Sequence, residues 1–220
     1  MYFRAFIGAV VLAPFPLSQS VIAQTPVAIV EEVDSKTAGL ELMDYLTVGR
    51  TIRLAAEEKL VIGYLKSCWR ETIVGGAVTI GVEQSEVKDG RVQRAKVRCD
   101  AGESTPSKET AASGAMVFRN VRQPLPKKTI YALSPIFELK GAGHLIIERL
   151  DQREKSINVD TTVRQRGSFV DLSKMHFSLV AGGLYRARLG RNEVIFKIDQ
   201  LADPKSVDII GRLVHLGPPD

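Results

Sequence analysis

The chain has 220 residues, 45% of them hydrophobic and 25% charged, with a formal net charge of +5 and a pI near 9.2. That length accommodates one large domain or two small ones, and the basic balance favours anionic partners over neutral ones. Nucleic-acid binding is excluded: Lys and Arg are dispersed among Asp and Glu without a dense basic run, aromatics make up only 6% of the chain, and no recognition-helix pattern is visible.

The first element is an export signal over residues 1–23. Arg4 supplies the positive start, Ala5 to Leu17 form an apolar run, and Val21-Ile22-Ala23 offers a small-x-small cleavage pattern ahead of Gln24. The apolar run is short for a bilayer span and carries Pro14 and Pro16, so a retained anchor is the weaker alternative. Charges interrupt every later apolar run, which leaves no transmembrane segment after signal removal. The expected location is therefore periplasmic or secreted.

Residues 24–100 read as a small β-domain. Candidate strands are Val27–Val33, Leu40–Leu46, Thr51–Leu54 and Leu60–Leu65, and Leu54–Leu60 between the last two is expected to be a loop or one helical turn. Ala77–Asp100 then reads as a hairpin. Asp89-Gly90 suits a two-residue loop at positive φ, which opposes Val87 to Val92, Glu83 to Lys96 and Ile80 to Cys99. In that register Val78, Ile80, Val82, Ala95, Val97 and Cys99 share an apolar face, and Glu83, Arg94, Lys96 and Arg98 share a wet one. Cys68 and Cys99 would be free thiols in the cytosol, but in an oxidising compartment they are expected to pair. A bridge closing roughly 30 residues is worth about 3–4 kcal/mol.

Residues 101–128 read as a linker followed by an extended connector. The stretch from Ala101 to Gly114 has no bulky apolar residue, Met116-Val117-Phe118 is an isolated apolar patch, and Pro124 and Pro126 punctuate the connector itself. From residue 129 to 220 the β pattern resumes. Expected strands are Thr129–Leu133, Ile136–Leu139, Leu145–Leu150, Ile157–Val163, Ser168–Asp171, Leu184–Leu189, Glu193–Asp199 and Val207–Leu216, a spacing that predicts a β-sandwich. In Leu179-Val180-Ala181-Gly182-Gly183-Leu184-Tyr185 a Gly turn precedes a strand-opening Tyr. This resembles the tyrosine corner of immunoglobulin-like and fibronectin-type sandwiches, where the phenol bonds backbone a few residues upstream. An ordinary core Tyr is the alternative, and either reading makes Tyr185 structural.

The run Asp44-Tyr45-Leu46-Thr47-Val48-Gly49-Arg50-Thr51-Ile52-Arg53-Leu54, leading into Leu60–Leu65, resembles the periplasmic β-domain of FecR-type proteins over residues 31–100. The resemblance implies a non-enzymatic envelope module of a Gram-negative-type bacterium. It transfers no binding residues, and the family's regulatory mechanism does not carry over, because no cytoplasmic helical region accompanies it.

Catalytic and metal patterns are missing. His144, His176 and His215 lack metal-ligand spacing. The Gly76–Gly81 spacing of a phosphate loop is followed by Val82-Glu83 in place of Lys-Ser/Thr. Lys36-Thr37-Ala38-Gly39 has no Ser-x-x-Lys partner, and no Gly-x-Ser-x-Gly elbow occurs. Glu148 with Asp151, or Asp199 with Asp203, are acid pairs that nothing singles out. No cofactor is implied. Arg94, Lys96 and Arg98, with Arg70 nearby in sequence, form a candidate basic stripe for an anionic partner; Arg186 and Arg188 make a similar pair. A strand face kept charged against aggregation is the alternative. The expected function is a non-catalytic envelope binding protein whose partner is an envelope protein or an anionic envelope polymer. A sensory accessory to a membrane-bound partner is the alternative, and an unrecognised hydrolase the third reading.

Overall fold

Strands rich in β-branched residues and broken by Gly, Pro and Asp turns build an all-β protein, as the composition of each segment demands. The computed structural model describes residues 25–100, 124–161, 169–205 and 208–217. The expected leader, the patch at 116–118 and the end of the expected strand at 157–163 lie outside the described residues.

The N-terminal unit is a six-stranded sheet of β1 (Pro26–Asp34), β2 (Tyr45–Thr47), β3 (Thr51–Tyr64), β4 (Trp69–Thr79), β5 (Glu86–Lys88) and β6 (Arg91–Lys96). Its spatial order is β2-β1-β3-β4, with β5 and β6 both lying against β4. The expected loop at Leu54–Leu60 is instead part of β3, which runs unbroken for 14 residues. Ala55–Glu58 leave the ladder as a bulge, where the register against β4 shifts. Helix-forming residues there are overridden by pairing on both flanks. The bulge bends the strand, so that Ile52 and Leu54 join Leu60, Ile62 and Tyr64 in one core.

Glu58 holds this bulge to the loop after β1. Its carboxylate accepts the Thr37 hydroxyl at 2.5 Å and the amides of Ala55 and Lys36, each at 2.9 Å.

The Asp89-Gly90 pair is not a hairpin loop. The chain reverses at residues 80–85, and β5 and β6 then follow β4 in a single register from Thr79↔Glu86 to Trp69↔Lys96. Asp89 does take the left-handed conformation, at φ 56°, but it stands beside Gly76, at φ 84°. A Cβ on Gly76 would lie 2.3 Å from the Lys88 carbonyl. The two kinks face each other, and the ladder steps through them. Val82, expected in the apolar face, sits in the true turn and is 66% exposed.

The C-terminal unit packs two sheets around one core. Strands β7 (Lys128–Ala132), β9 (His144–Arg149), β10 (Ile157–Asp160), β12 (Leu184–Leu189) and β13 (Asn192–Asp203) form a five-stranded sheet ordered β10-β9-β12-β13-β7. Strands β8 (Ile136–Leu139), β11 (Phe169–Asp171) and β14 (Leu213–Leu216) form a three-stranded one ordered β11-β8-β14. Phe137, Val170 and Val214 from the smaller sheet meet Ile147, Tyr185 and Phe196 from the larger. Each strand expected in this region has a counterpart, except that residues 208–212 turn before β14 rather than extend it. The Tyr185 phenolic oxygen accepts the Val180 amide at 2.9 Å, across the Gly182-Gly183 turn.

The disulfide joins Cys68, at the β3–β4 turn, to Cys99, beyond the end of β6. Replacing both cysteines with serine should lower unfolding free energy by about 3–4 kcal/mol, read by urea denaturation of oxidised and reduced protein. Hydrogen bonds from Thr37 and then Ala55 depress the Glu58 pKa to about 2. Ionised Glu58 therefore supports the loop fully above its ordinary pKa of 4.5, and that support fades as pH falls towards 2. Amide exchange at Lys36 and Thr37 should accelerate across that window, and Glu58→Gln should abolish the dependence.

Candidate functional site

Polar side chains in these sheets concentrate at two places: under the β4–β6 pair, and in the seam between the two units. In β4 the alternation Trp69, Glu71, Ile73 faces the N-terminal core, and Lys96, Arg94 and Val92 oppose them on β6. Glu71 is fully buried. Its carboxylate accepts Arg94 Nε at 2.6 Å, the Ser85 amide at 3.2 Å and the Ser85 hydroxyl, while Arg94 also donates to the Ser85 carbonyl at 2.7 Å. Lys96 lies 4.6 Å from the Trp69 ring centroid and donates to the Ser67 carbonyl.

Arg70 opposes Ala95 and so points to the other side of the sheet from Arg94 and Lys96. Arg98 stacks 4.6 Å above the Tyr131 ring and donates to Asp199 at 2.7 Å and the Leu201 carbonyl at 3.0 Å. The four cations expected to form an open basic stripe are thus placed on different sides, each bonded within its own chain. The single apolar face expected of the hairpin is also divided. Val78 and Ile80 enter the N-terminal core, whereas Val97 and Cys99 pack in the seam.

That seam is a third cluster, in which Ile29, Met43, Tyr45, Leu65, Val97 and Cys99 of the first unit meet Ile136, Phe169, Ile209, Ile210 and Leu213 of the second. Ala28 to Glu31 are consecutively buried because the sheet is covered on both faces. Glu31, displaced into the seam by a bulge in β1, accepts the amides of Ile209 at 2.8 Å and Ile210 at 3.1 Å. Its other oxygen accepts Arg70 Nε at 2.7 Å, and Asp208 stands 3.1 Å from the same nitrogen. Burial raises the Glu31 pKa, against the opposing pull of Arg70. A Cβ on Gly63 would fall 2.6 Å from Ile210 Cγ2 and 2.7 Å from Glu31 Oε1, so glycine is what lets the two units approach.

At the rim of the seam Tyr45 donates to Glu138 at 2.8 Å, and His215 Nδ1 shares the same carboxylate oxygen. Burial pushes the Glu138 carboxyl up, but the bonds from His215 and Tyr45 outweigh it and hold it below the ordinary range. Burial raises the Tyr45 phenol. The acid pairs weighed from the sequence are each engaged with another partner: Glu148 with Arg188, Asp151 with Arg149, Asp199 with Arg98, and Asp203 with the Lys205 amide. An open depression of about 590 Å³ over residues 148–156 is floored by Arg149, which bonds Asp151 at 2.9 Å and Glu154 at 2.7 Å. Among the described residues no group of three or more His, Cys, Asp or Glu side chains is arranged to hold a metal ion, and no helix is long and apolar enough to cross a membrane.

Sequence reasoning missed Glu31, Glu71, Tyr45 and Glu138. For the first a partial signal was present: a carboxylate directly after the apolar run Val27-Ala28-Ile29-Val30, and ahead of Val33, can be carried into the interior, where it needs partners. Comparison of the chain with protein-family models, curated proteins and solved structures finds no match.

Glu31→Ala leaves two amides and Arg70 without their acceptor and should cost about 3–5 kcal/mol, whereas Glu31→Gln keeps a carbonyl for the amides and should cost about 1–2 kcal/mol. Urea denaturation followed by the fluorescence of Trp69, the one tryptophan, reads both. Equal losses would show that the amide contacts carry no weight.

Proposed function

We propose that the chain is a non-catalytic, extracytoplasmic binding protein of the bacterial envelope, working through its exposed β surfaces. The observation that carries this reading is the use made of its reactive side chains. Glu31, Glu71, Arg70, Arg94, Tyr45 and Glu138 each join one β element to another. Groups that an active site directs into a cleft are here directed into joints. The Cys68–Cys99 bridge supports an oxidising compartment, in keeping with the export signal expected at residues 1–23.

The finer assignments belong to the same proposal. A FecR-type origin for residues 31–100 rests on the Gly and aliphatic spacing of Asp44–Leu54. Immunoglobulin-like kinship for residues 129–220 is supported by the two packed sheets and by the Tyr185 corner.

Expression of the full chain in a Gram-negative host, followed by fractionation, mass measurement and affinity capture from envelope extract at low and high salt, tests this reading. The expected product is periplasmic, begins at Gln24 and is two hydrogens lighter than its reduced form. It should retain a specific partner. A cytosolic product with free thiols, or capture of nothing specific at either salt, sinks the reading.

A further inference from the structure

The β5–β6 edge of the N-terminal sheet is a rail of open backbone groups. Both strands lie along one side of β4 in one register, and no described strand pairs with their other side. The Val97 amide donates to the Cys68 carbonyl at 3.0 Å, which sets the phase of the ladder. In an antiparallel pair alternate residues turn their N–H and C=O towards the partner, so Gln93 and Ala95 bond β4, and Val92, Arg94 and Lys96 present theirs outward. The rail is rigid. Arg94 is anchored on buried Glu71, Lys96 lies across Trp69, and the disulfide pins the chain beyond its end.

Its charge selects an occupant. Lys88 and Arg91 are exposed on the face opposite Arg94 and Lys96, and the exposed Glu86 stands 3.5 Å from Lys88 without removing it from solvent. A second copy docking edge to edge would bring Arg94 and Lys96 against their own equivalents, and like charges across a strand pair are destabilising. A strand carrying Asp or Glu at alternate positions, turned to the face of Lys88 and Arg91, meets those two cations favourably, with its Val and Thr positions beside Val92. We propose that this edge binds an extended acidic segment of a partner protein by adding it to the sheet as a further strand. The inference deepens the binding role proposed above and rests on it.

The test uses the oxidised full chain and three fluorescent ten-residue probes: one alternating Glu with Val and Thr, one with Lys replacing Glu, and the acidic probe N-methylated at alternate backbone nitrogens. The acidic probe should bind saturably, the N-methylated one about tenfold or more weakly, and the basic one not at all. A Lys88→Glu/Arg91→Glu variant, at two exposed positions, should lose about tenfold in affinity with an unchanged circular dichroism spectrum. Amides of Val92, Arg94 and Lys96 should exchange rapidly in the free protein and become protected on binding. Equal binding of the N-methylated probe reduces the effect to surface charge and overturns the proposal. So does protection of those three amides before any probe is added, because the edge is then already paired. Failure of the probes alongside a specific captured partner rejects this edge and leaves the binding role standing.

Discussion

A single buried carboxylate holds the two halves of this protein in register. Glu31 sits on the second face of the N-terminal sheet, where an unpaired charge is costly, and it is tolerated because two backbone amides and one guanidinium converge on it. The amides belong to Ile209 and Ile210, whose own side chains pack into the same seam against a sheet formed near the start of the chain. Around this point the apolar cluster of Ile29, Ile136 and Leu213 excludes water, which strengthens the polar contacts it surrounds. The result is a continuous body, in contrast to two modules on a connector.

The same economy governs the cations. On an antiparallel sheet a charged row is ordinarily solvated, but here Arg70 and Arg94 leave opposite faces of adjoining strands, and each finds a carboxylate with no more than 1% of its side chain exposed. Arg98 reaches across the seam to Asp199 and Tyr131. Arg70, Arg94 and Arg98 are thus engaged in joining elements, though Arg94 and Arg98 keep solvent exposure. Among the described strands, backbone stays open on the outer side of β5 and β6, flanked by Lys88 and Arg91.

Much of the C-terminal unit was legible because alternation and turn residues agree there; Ile136–Leu139 and Leu184–Leu189 coincide with their expected bounds. The hydrogen bond of Tyr185 to backbone was legible for the same reason, since its donor lies only five positions upstream. The N-terminal unit resisted at two points where one local signal serves two structures. Asp89-Gly90 encodes a left-handed step, and such a step closes a hairpin or kinks a continuous ladder equally well; the opposing Gly75-Gly76 decides, and no local rule links the pairs. Likewise Ala55–Glu58 favours a helical turn until the pairing on its flanks, and the loop at Lys36, 22 residues before Glu58, claim it. The seam was illegible altogether. Glu31 and Ile209 are 178 positions apart, and nothing in either neighbourhood names the other.

That distance bears on the order in which the molecule can be completed. Synthesis runs from the amino end, so β1 and the sheet around it emerge long before residues 208–213. Until those last residues arrive, Ile29 and Leu65 lack their cover, and Glu31 lacks the amides that compensate its desolvation. The nascent intermediate therefore carries a sticky, half-finished wall, the kind of surface that attracts holdase chaperones and misassociation. Closure by residues 209–213 completes the wall, and a chain cut before them leaves the earliest strands with nothing to lean on.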